Sequence, residues 1–538
     1  MNKLDLGNTR DRNLGRILQL QAQQNGTTHF LITDEQRITF AEAELSCNCL
    51  AAGFKARGID AGDRVAIYMG NRPEMVLLAL ALNKLGAIWV PINTDYKGEW
   101  LLDTLLRSRC KMLMTDEPLQ SRLVEIQDRL VGVQLALLGD VNISPLDNPL
   151  SYQDLLANDP LEGGCSSIDY GDTCAILWTS GTTGKSKGVM QSHNAWIRPI
   201  VQGCSEQYNT KEGDIIYCVL PLFNSAAWLT CILRALLEGV GCVIEEKFSV
   251  SQFLARVKQF GATQTFAVGA MGVFLMNSPE QDDDLNTPLT TAQIVPMPPD
   301  MWSRFEKRFG LRLLRSGLGQ SECLLVLTQL EDLAEVPVYA LGFAQPDTDI
   351  RLFDDEGNEV ADGEVGEICI KPLAPNILFN GYFDCPDATA SVYRGEWYMT
   401  GDVGRKDPKT GAFFFVDRKK DALRFAGRNI STLEVESVVR GHPAVQDVAA
   451  FGIASAEVES EHELKLNIIL REGQGPSHED ICTFINEKAP HYFVPRYMEF
   501  VDNLPYTPTN KVQKFKLREA GVSASCWDIT QSDFQLVR

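Results

Sequence analysis

Residues 178–190 read WTSGTTGKSKGVM. These thirteen positions hold three glycines, two lysines and five hydroxyl side chains, directly after the apolar run Cys174–Leu177. Glycines let backbone N–H groups approach an anion closely, hydroxyls donate hydrogen bonds and lysines supply charge, which suits a loop that wraps polyphosphate. The P-loop pattern G-x-x-x-x-G-K-S/T fits only at its tail, Gly184-Lys185-Ser186. Its opening glycine would fall at 179, which is Thr179, so the Walker spacing fails. A flexible Gly/Ser/Thr loop without a ligand is the competing explanation, but it requires no fixed order of these residues.

Outward from this loop, the chain alternates helix-like and strand-like segments. Asp63 to Met69 (DRVAIYM) has strand character, and Gly70-Asn71-Arg72-Pro73 marks a turn. Glu74 to Leu85 has helical apolar spacing, and Ala87 to Ile92 returns as a strand. That βαβ rhythm predicts an α/β protein with mostly parallel sheets. The stretch around Phe253 to Val268 repeats the helix-then-strand order. From about residue 342 the texture changes to short strand-like segments, DIRLFDD, EICIK and FFFVD, broken by Asp/Gly turns, which predicts a β-rich subdomain. A charged run, Arg418 to Asp421, then precedes a compact α+β segment of domain size. The expected organisation is therefore a large N-terminal domain over 1–417, built from βαβ sheets plus the β-rich subdomain, and a small C-terminal α+β domain over 418–538.

Composition narrows the function. At 538 residues the chain exceeds one hydrophobic core. Its 44% hydrophobic and 22% charged content are those of an ordinary globular protein. The formal charge of −21 and the absence of a basic block disfavour nucleic acid as a partner. The N-terminal MNKLDLGNTRDRN lacks the apolar core of a signal peptide, and the apolar stretch Val76 to Leu82 is far too short for a membrane span. The fourteen cysteines form no C-x-x-C pair, so reduced thiols in a cytoplasmic protein are expected and structural zinc is not. The six histidines are widely spaced and suggest no metal cluster.

The order T-S-G-T-T-G-x-x-K-G-V at the loop resembles the signature of the adenylate-forming superfamily: acyl-CoA synthetases, luciferases and peptide-synthetase adenylation domains. Later segments resemble further motifs of that family, in its order. The resemblance implies that Thr179, Ser180, Gly181, Thr182, Thr183, Gly184 and Lys187 hold the phosphates of ATP. LGQSE resembles YG-x-TE, which implies adenine contacts from Leu318, Gly319 and Ser321, and Mg²⁺ on Glu322 together with Thr182. A hard cation such as Mg²⁺ suits a carboxylate. YMTGD resembles Y/H-x-TGD and assigns Asp402 to the ribose hydroxyls, for which a carboxylate has two acceptor oxygens. VDRKKD implies that Arg418 contacts ribose or phosphate and that Lys420 is the hinge of a mobile C-terminal domain. PYTPTNKVQK resembles P-x-T-x-S/G-G-K-I/V-x-R/K and places Lys511 at the catalytic lysine. The stretches LREAGVSASCWD and LGAIWVPIN look most like bacterial acyl-CoA ligases of the carnitine/crotonobetaine–CoA ligase type.

The implied activity is ATP-dependent ligation of a small carboxylic acid to CoA through an acyl-adenylate, releasing AMP and pyrophosphate. An amine or a carrier-protein thiol as acceptor is the alternative, and a non-catalytic nucleotide-binding relative is a third. A homodimer stays open as the assembly. By family position the acyl pocket is Phe223, Asn224, Trp228, Val268, Met271 and Met297. This side departs most from the pattern: Asn224 replaces the histidine of P-L-F-H, and IVPMPPD (Ile294 to Asp300) has no Gly-Gly-Ala. The expectation is ordinary activation chemistry on an unusual acid. An aromatic wall such as Trp228 could hold a quaternary ammonium by cation–π contact, with plain core packing as the competing role.

Overall fold

The computed structural model describes residues 4–162, 167–179, 186–295, 297, 299–329, 333–354, 356–418, 423–425, 428–430, 432–455, 462–505, 512 and 514–536. The predicted βαβ unit is present: strand Arg64–Tyr68, helix Pro73–Leu85 and strand Ile88–Pro91, with the two strands parallel. Pro73 opens the helix at a position that needs no N–H donor, and Gly86 closes it in the left-handed conformation at φ +72°. Eleven of the thirteen helix residues are buried, so this is a central helix and not a surface one. Even its polar end is absorbed. Lys84 Nζ pairs with a Glu44 carboxylate oxygen at 2.9 Å, and the Asn83 amide donates to the Cys174 carbonyl at 3.1 Å.

The chain divides into two compact units. The larger comprises 1–94, 105–179 and 187–417, and the smaller is built mainly from Arg418 onward and includes Asp95–Thr104. The larger unit has two seven-stranded sheets. One holds the βαβ strands and ends in the antiparallel hairpin Thr173–Thr179/Lys187–Ser192. The other, from Arg312–Leu314 to Arg37–Thr39, is parallel except for its last pair. Parallel sheets covered by helices need apolar residues on both faces, which is why CAIL and the strand Ile88–Pro91 (IWVP) read as continuous apolar runs. The texture change in the sequence corresponds to antiparallel sheets. One has three strands, including Leu318–Gln320 and Leu324–Thr328. The other has five, among them Thr348–Phe353, Val365–Pro372, Trp397–Lys406 and Phe413–Arg418.

The smaller unit carries a four-stranded sheet, Val445–Ala454, His462–Leu470, Tyr497–Phe500 and Trp527–Asp528, with helices Thr432–Arg440 and His478–Lys488. Val435, Val448, Leu466, Ile468, Ile481, Ile485 and Met498 form its own core. An α/β protein with a large N-terminal and a smaller α+β C-terminal part is the fold the βαβ rhythm and the later strand texture predicted.

Candidate active site

Three segments far apart in sequence meet in the larger unit. The first is the hairpin that flanks the glycine-rich loop, in which Thr179 lies opposite Lys187 and Trp178 opposite Gly188. A P-loop leads from a strand into a helix, whereas here the chain returns as an antiparallel strand, a structural reason against the Walker assignment. Gly188 is required by close packing: a Cβ there would stand 2.8 Å from Ile176 Cγ2. Ser180, Gly181, Thr182, Thr183 and Gly184 lie outside the described residues.

The second segment, 379–383, runs along the return strand. The Asn380 N–H donates to the Met190 carbonyl at 2.7 Å, and the Phe383 N–H to the Gly188 carbonyl at 2.7 Å. The Phe379 N–H donates to the Glu322 carbonyl at 2.8 Å, so the segment ties the hairpin to the Glu322 turn. Tyr382 repeats the link with its side chain. Its hydroxyl donates to Glu322 Oε1 at 2.9 Å, and Lys187 Nζ lies 4.8 Å from the ring centroid. Burial, then the Glu322 charge, pushes the Tyr382 phenol well above its ordinary value, so it stays a neutral donor. The Gln191 amide donates to the Ser321 carbonyl, a third tie between hairpin and turn.

The third segment is Tyr398–Asp402, on the strand Trp397–Lys406. Asp402 is only 2% exposed. Its N–H donates to Thr400 Oγ1 at 3.0 Å, and the Gly401 N–H donates to Glu367 Oε1 at 3.0 Å, which sets a tight turn with Gly401 at φ +72°. Gln320 reaches across from Leu318–Gln320: its amide N–H donates to Asp402 Oδ2 at 2.5 Å and to the Thr400 carbonyl at 2.9 Å. Lys187, Ser321, Glu322 and Asp402 thus belong to one bonded constellation. The backbone of Arg418 ends the strand Phe413–Arg418, while Lys420 and Lys511 lie outside the described residues.

Two assignments look different in the fold. The Leu318 side chain is 7% exposed and packs with Val326, Ile350 and Ile368, which leaves little of it to cover a purine. Gly319 presses on the facing strand, where a Cβ would meet the Leu324 carbonyl oxygen at 1.9 Å. On the acyl side, Trp228 is fully buried. Its indole N–H donates to the Leu222 carbonyl at 2.6 Å, and its ring packs on Trp89 at 4.2 Å between centroids. Met297 is 4% exposed and sits in the core around the second sheet. Phe223, Asn224, Val268 and Met271 are half-buried. Asn71 fixes the turn that carries Phe223 and Asn224. Its amide donates to the Leu220 and Glu245 carbonyls at 2.8 and 3.0 Å, and its oxygen accepts from the Leu222 N–H at 2.8 Å.

Sequence patterns missed Tyr382, Gln320 and Asn71. The signal for Tyr382 was an aromatic after a turn glycine in NGYF, and Gly381 does adopt φ +101°. Gln320 stood at an unspecified motif position. Among the described residues, no group of three or more His, Cys, Asp or Glu is arranged for a metal. Mg²⁺ is ordinarily held by one or two carboxylates plus substrate phosphates, so a single Glu322 fits Mg²⁺ carried in with ATP.

The two mostly parallel sheets, the returning hairpin beside the glycine-rich loop and the carboxylates Glu322 and Asp402 are consistent with an adenylate-forming enzyme. The chain belongs to the AMP-binding enzyme family: the model of that family matches residues 18–383, and the model of the AMP-binding enzyme C-terminal domain matches 434–511. The crotonobetaine/carnitine–CoA ligase of Salmonella arizonae is 31% identical over 497 residues, 90% of this chain and 93% of that protein. The enzyme of the same description from Escherichia coli (strain ATCC 8739) is 30% identical with the same coverage. Among solved structures, the amide bond synthetase McbA from Marinactinospora thermotolerans superposes with a TM-score of 0.81 at 22% identity, covering 94% of this chain and 99% of that one. An o-succinylbenzoate CoA synthetase from Bacillus subtilis gives 0.79 at 24%, covering 94% and 98%. By its family membership the protein is an AMP-binding enzyme. None of the helices among the described residues is long and apolar enough to cross a membrane.

Proposed function

We propose that the protein activates a small carboxylic acid with MgATP and passes the acyl group from an acyl-adenylate to the thiol of CoA. The observation that carries this reading is the constellation Lys187–Tyr382–Glu322 beside Gln320–Asp402, which gathers a cation, a carboxylate suited to Mg²⁺ and a carboxylate suited to a ribose diol. ATP supplies the electrophilic α-phosphorus, and Mg²⁺ would offset the charge of its phosphates. In this assignment Lys187 and the loop from Thr179 to Gly184 bind phosphate, Glu322 with Thr182 holds the metal, and Asp402 and Arg418 orient the ribose. Lys511 neutralises charge where the two anions meet. Residues 1–417 would then form the domain that binds ATP and acid, and 418–538 the domain that brings Lys511, turning about Lys420.

The acid is sought on the side of Phe223, Asn224, Val268 and Met271, which keep exposed surface. Trp228 offers its ring face to Trp89, so a quaternary ammonium would have to be held by other groups. ATP–pyrophosphate exchange over a panel of small carboxylic acids, carnitine and crotonobetaine among them, tests activation. Release of AMP on adding CoA, an amine or a carrier-protein thiol then identifies the acceptor. Discharge by an amine and not by CoA would replace the CoA assignment by amide synthesis. No exchange with any acid, in protein that binds ATP, would leave a nucleotide-binding relative.

A further inference from the structure

We infer that Gln320 is a positioning residue for nucleotide recognition: it fixes the rotation of the Asp402 carboxylate and so sets the preference for a ribose over a deoxyribose nucleotide. This rests on the proposed role of Asp402 at the ribose hydroxyls. The backbone of the Asp402 turn has bonds of its own besides the one Gln320 gives to the Thr400 carbonyl. Thr400 Oγ1 donates to the Ile368 carbonyl at 2.7 Å, and the Asp402 and Gly401 N–H groups are bound by Thr400 Oγ1 and Glu367. What Gln320 adds beyond its bond to the Thr400 carbonyl is its amide on the carboxylate itself, at 2.5 Å to Oδ2.

The orientation of that amide is forced. Turned over, its oxygen would face two acceptors, the Thr400 carbonyl and the Asp402 carboxylate, and its nitrogen would face the Tyr398 hydroxyl. In the observed orientation Tyr398, which is buried, donates to Gln320 Oε1 at 3.0 Å. The chain Tyr398 to Gln320 to Asp402 therefore runs in one direction, each group donating to the next. Gln320 cannot drift along its strand either, because Gly319 lies in contact with the backbone of residue 324. One side chain thus joins the turn that carries Glu322 to the turn that carries Asp402. A carboxylate rotated away from its bond would meet the ribose hydroxyls in the wrong plane.

The test titrates full-length protein with ATP and with 2′-deoxyATP, in the presence of Mg²⁺, by calorimetry, which requires no knowledge of the acid. Wild type is expected to prefer ATP by about 10- to 100-fold, the size of one hydrogen bond to a charged group. Gln320→Leu is expected to weaken ATP about tenfold or more and to bring the two nucleotides close to equality, with Asp402→Ala as the reference for complete loss. If Asp402→Ala erases the preference and Gln320→Leu keeps it, the inference about Gln320 is overturned and the ribose assignment stands. If wild type or Asp402→Ala shows that the preference does not depend on Asp402, both fall. Gln320→Glu keeps the size of the side chain. A carboxylate beside Asp402 repels it and cannot donate as the amide does, so the variant's ATP affinity should fall below that of wild type at pH 7.5. Wild-type affinity would also overturn the inference.

Discussion

The proposed nucleotide side of the larger unit and its tryptophan core handle polar groups in opposite ways. Around Glu322 and Asp402, side chains from different strands bond to one another: Tyr382 to Glu322, Gln320 to Asp402, Tyr398 to Gln320. In the core, Trp89, Trp196 and Trp228 pack ring on ring, and Trp228 spends its N–H on a backbone carbonyl. The first arrangement holds charged groups in fixed directions. The second removes polar atoms from use. A residue type that could serve a ligand therefore says little until its neighbours are known, since indole faces, sulfurs and carboxylates occur on both sides.

The largest expected effect tests the core half of this contrast. Trp228→Ala should destabilise the larger unit by ~3–5 kcal/mol, the usual cost of emptying a buried aromatic site, read as a lowered midpoint in calorimetric unfolding. An unchanged midpoint with an altered range of accepted acids would move Trp228 from core to pocket. The next effect tests the ligand half. Lys511→Ala should lower adenylate formation by roughly 10²–10³, about the loss of one preorganised electrostatic contact, while thioester formation from a preformed adenylate persists. Equal loss of both half-reactions in a folded variant would sink the assignment of Lys511.

A smaller change sharpens the same half. Tyr382→Phe deletes one hydroxyl and leaves the ring under Lys187. It should raise the Mg²⁺ requirement by about tenfold, since a hydrogen bond to a charged group is worth ~1.5–3 kcal/mol. The measurement is the Mg²⁺ dependence of pyrophosphate exchange. An unshifted dependence would mean that Tyr382 serves only to join the hairpin to the Glu322 turn.

The contrast also explains what the sequence made legible. The βαβ rhythm at 63–92 and the strand texture after 342 follow from burial, which has a period, so the elements fell within a residue or two of the expected places. Lys187, Glu322 and Asp402 stand out as candidates because they sit in short motifs whose order is itself informative. Gln320 and Tyr382 do not, because their importance lies in partners 82 and 60 residues away in sequence. The acyl side was the least legible. Whether Trp228 or Met297 faces a ligand depends on side-chain packing across sheets, and apolar residues carry no spacing signal that separates pocket from core.

His193 is a titratable group at the start of the helix, His193–Pro199, that carries Trp196, and it turns the contrast into a pH effect. It is 1% exposed, and its Nδ1 accepts the N–H of Leu14, the first residue of the helix Leu14–Asn25. Burial pushes its imidazole down to about 3 from an ordinary 6.5, so the folded protein holds it neutral. Below pH 6.5 the unfolded chain takes up a proton that the folded chain refuses, so stability is full above that pH and is lost as pH falls towards 3. The slope from one such group approaches ~1.4 kcal/mol per pH unit. His442 and His478 are shifted in the same direction by burial, so the contribution of His193 must be isolated by difference. His193→Gln keeps a hydrogen-bond acceptor and removes the titration. Wild type should exceed the variant in urea midpoint at pH 7.5, and the gap should narrow steadily at pH 6.5 and 5.5. A gap that stays constant across that range would show that His193 titrates normally and that the tryptophan core admits charge as readily as the nucleotide side does.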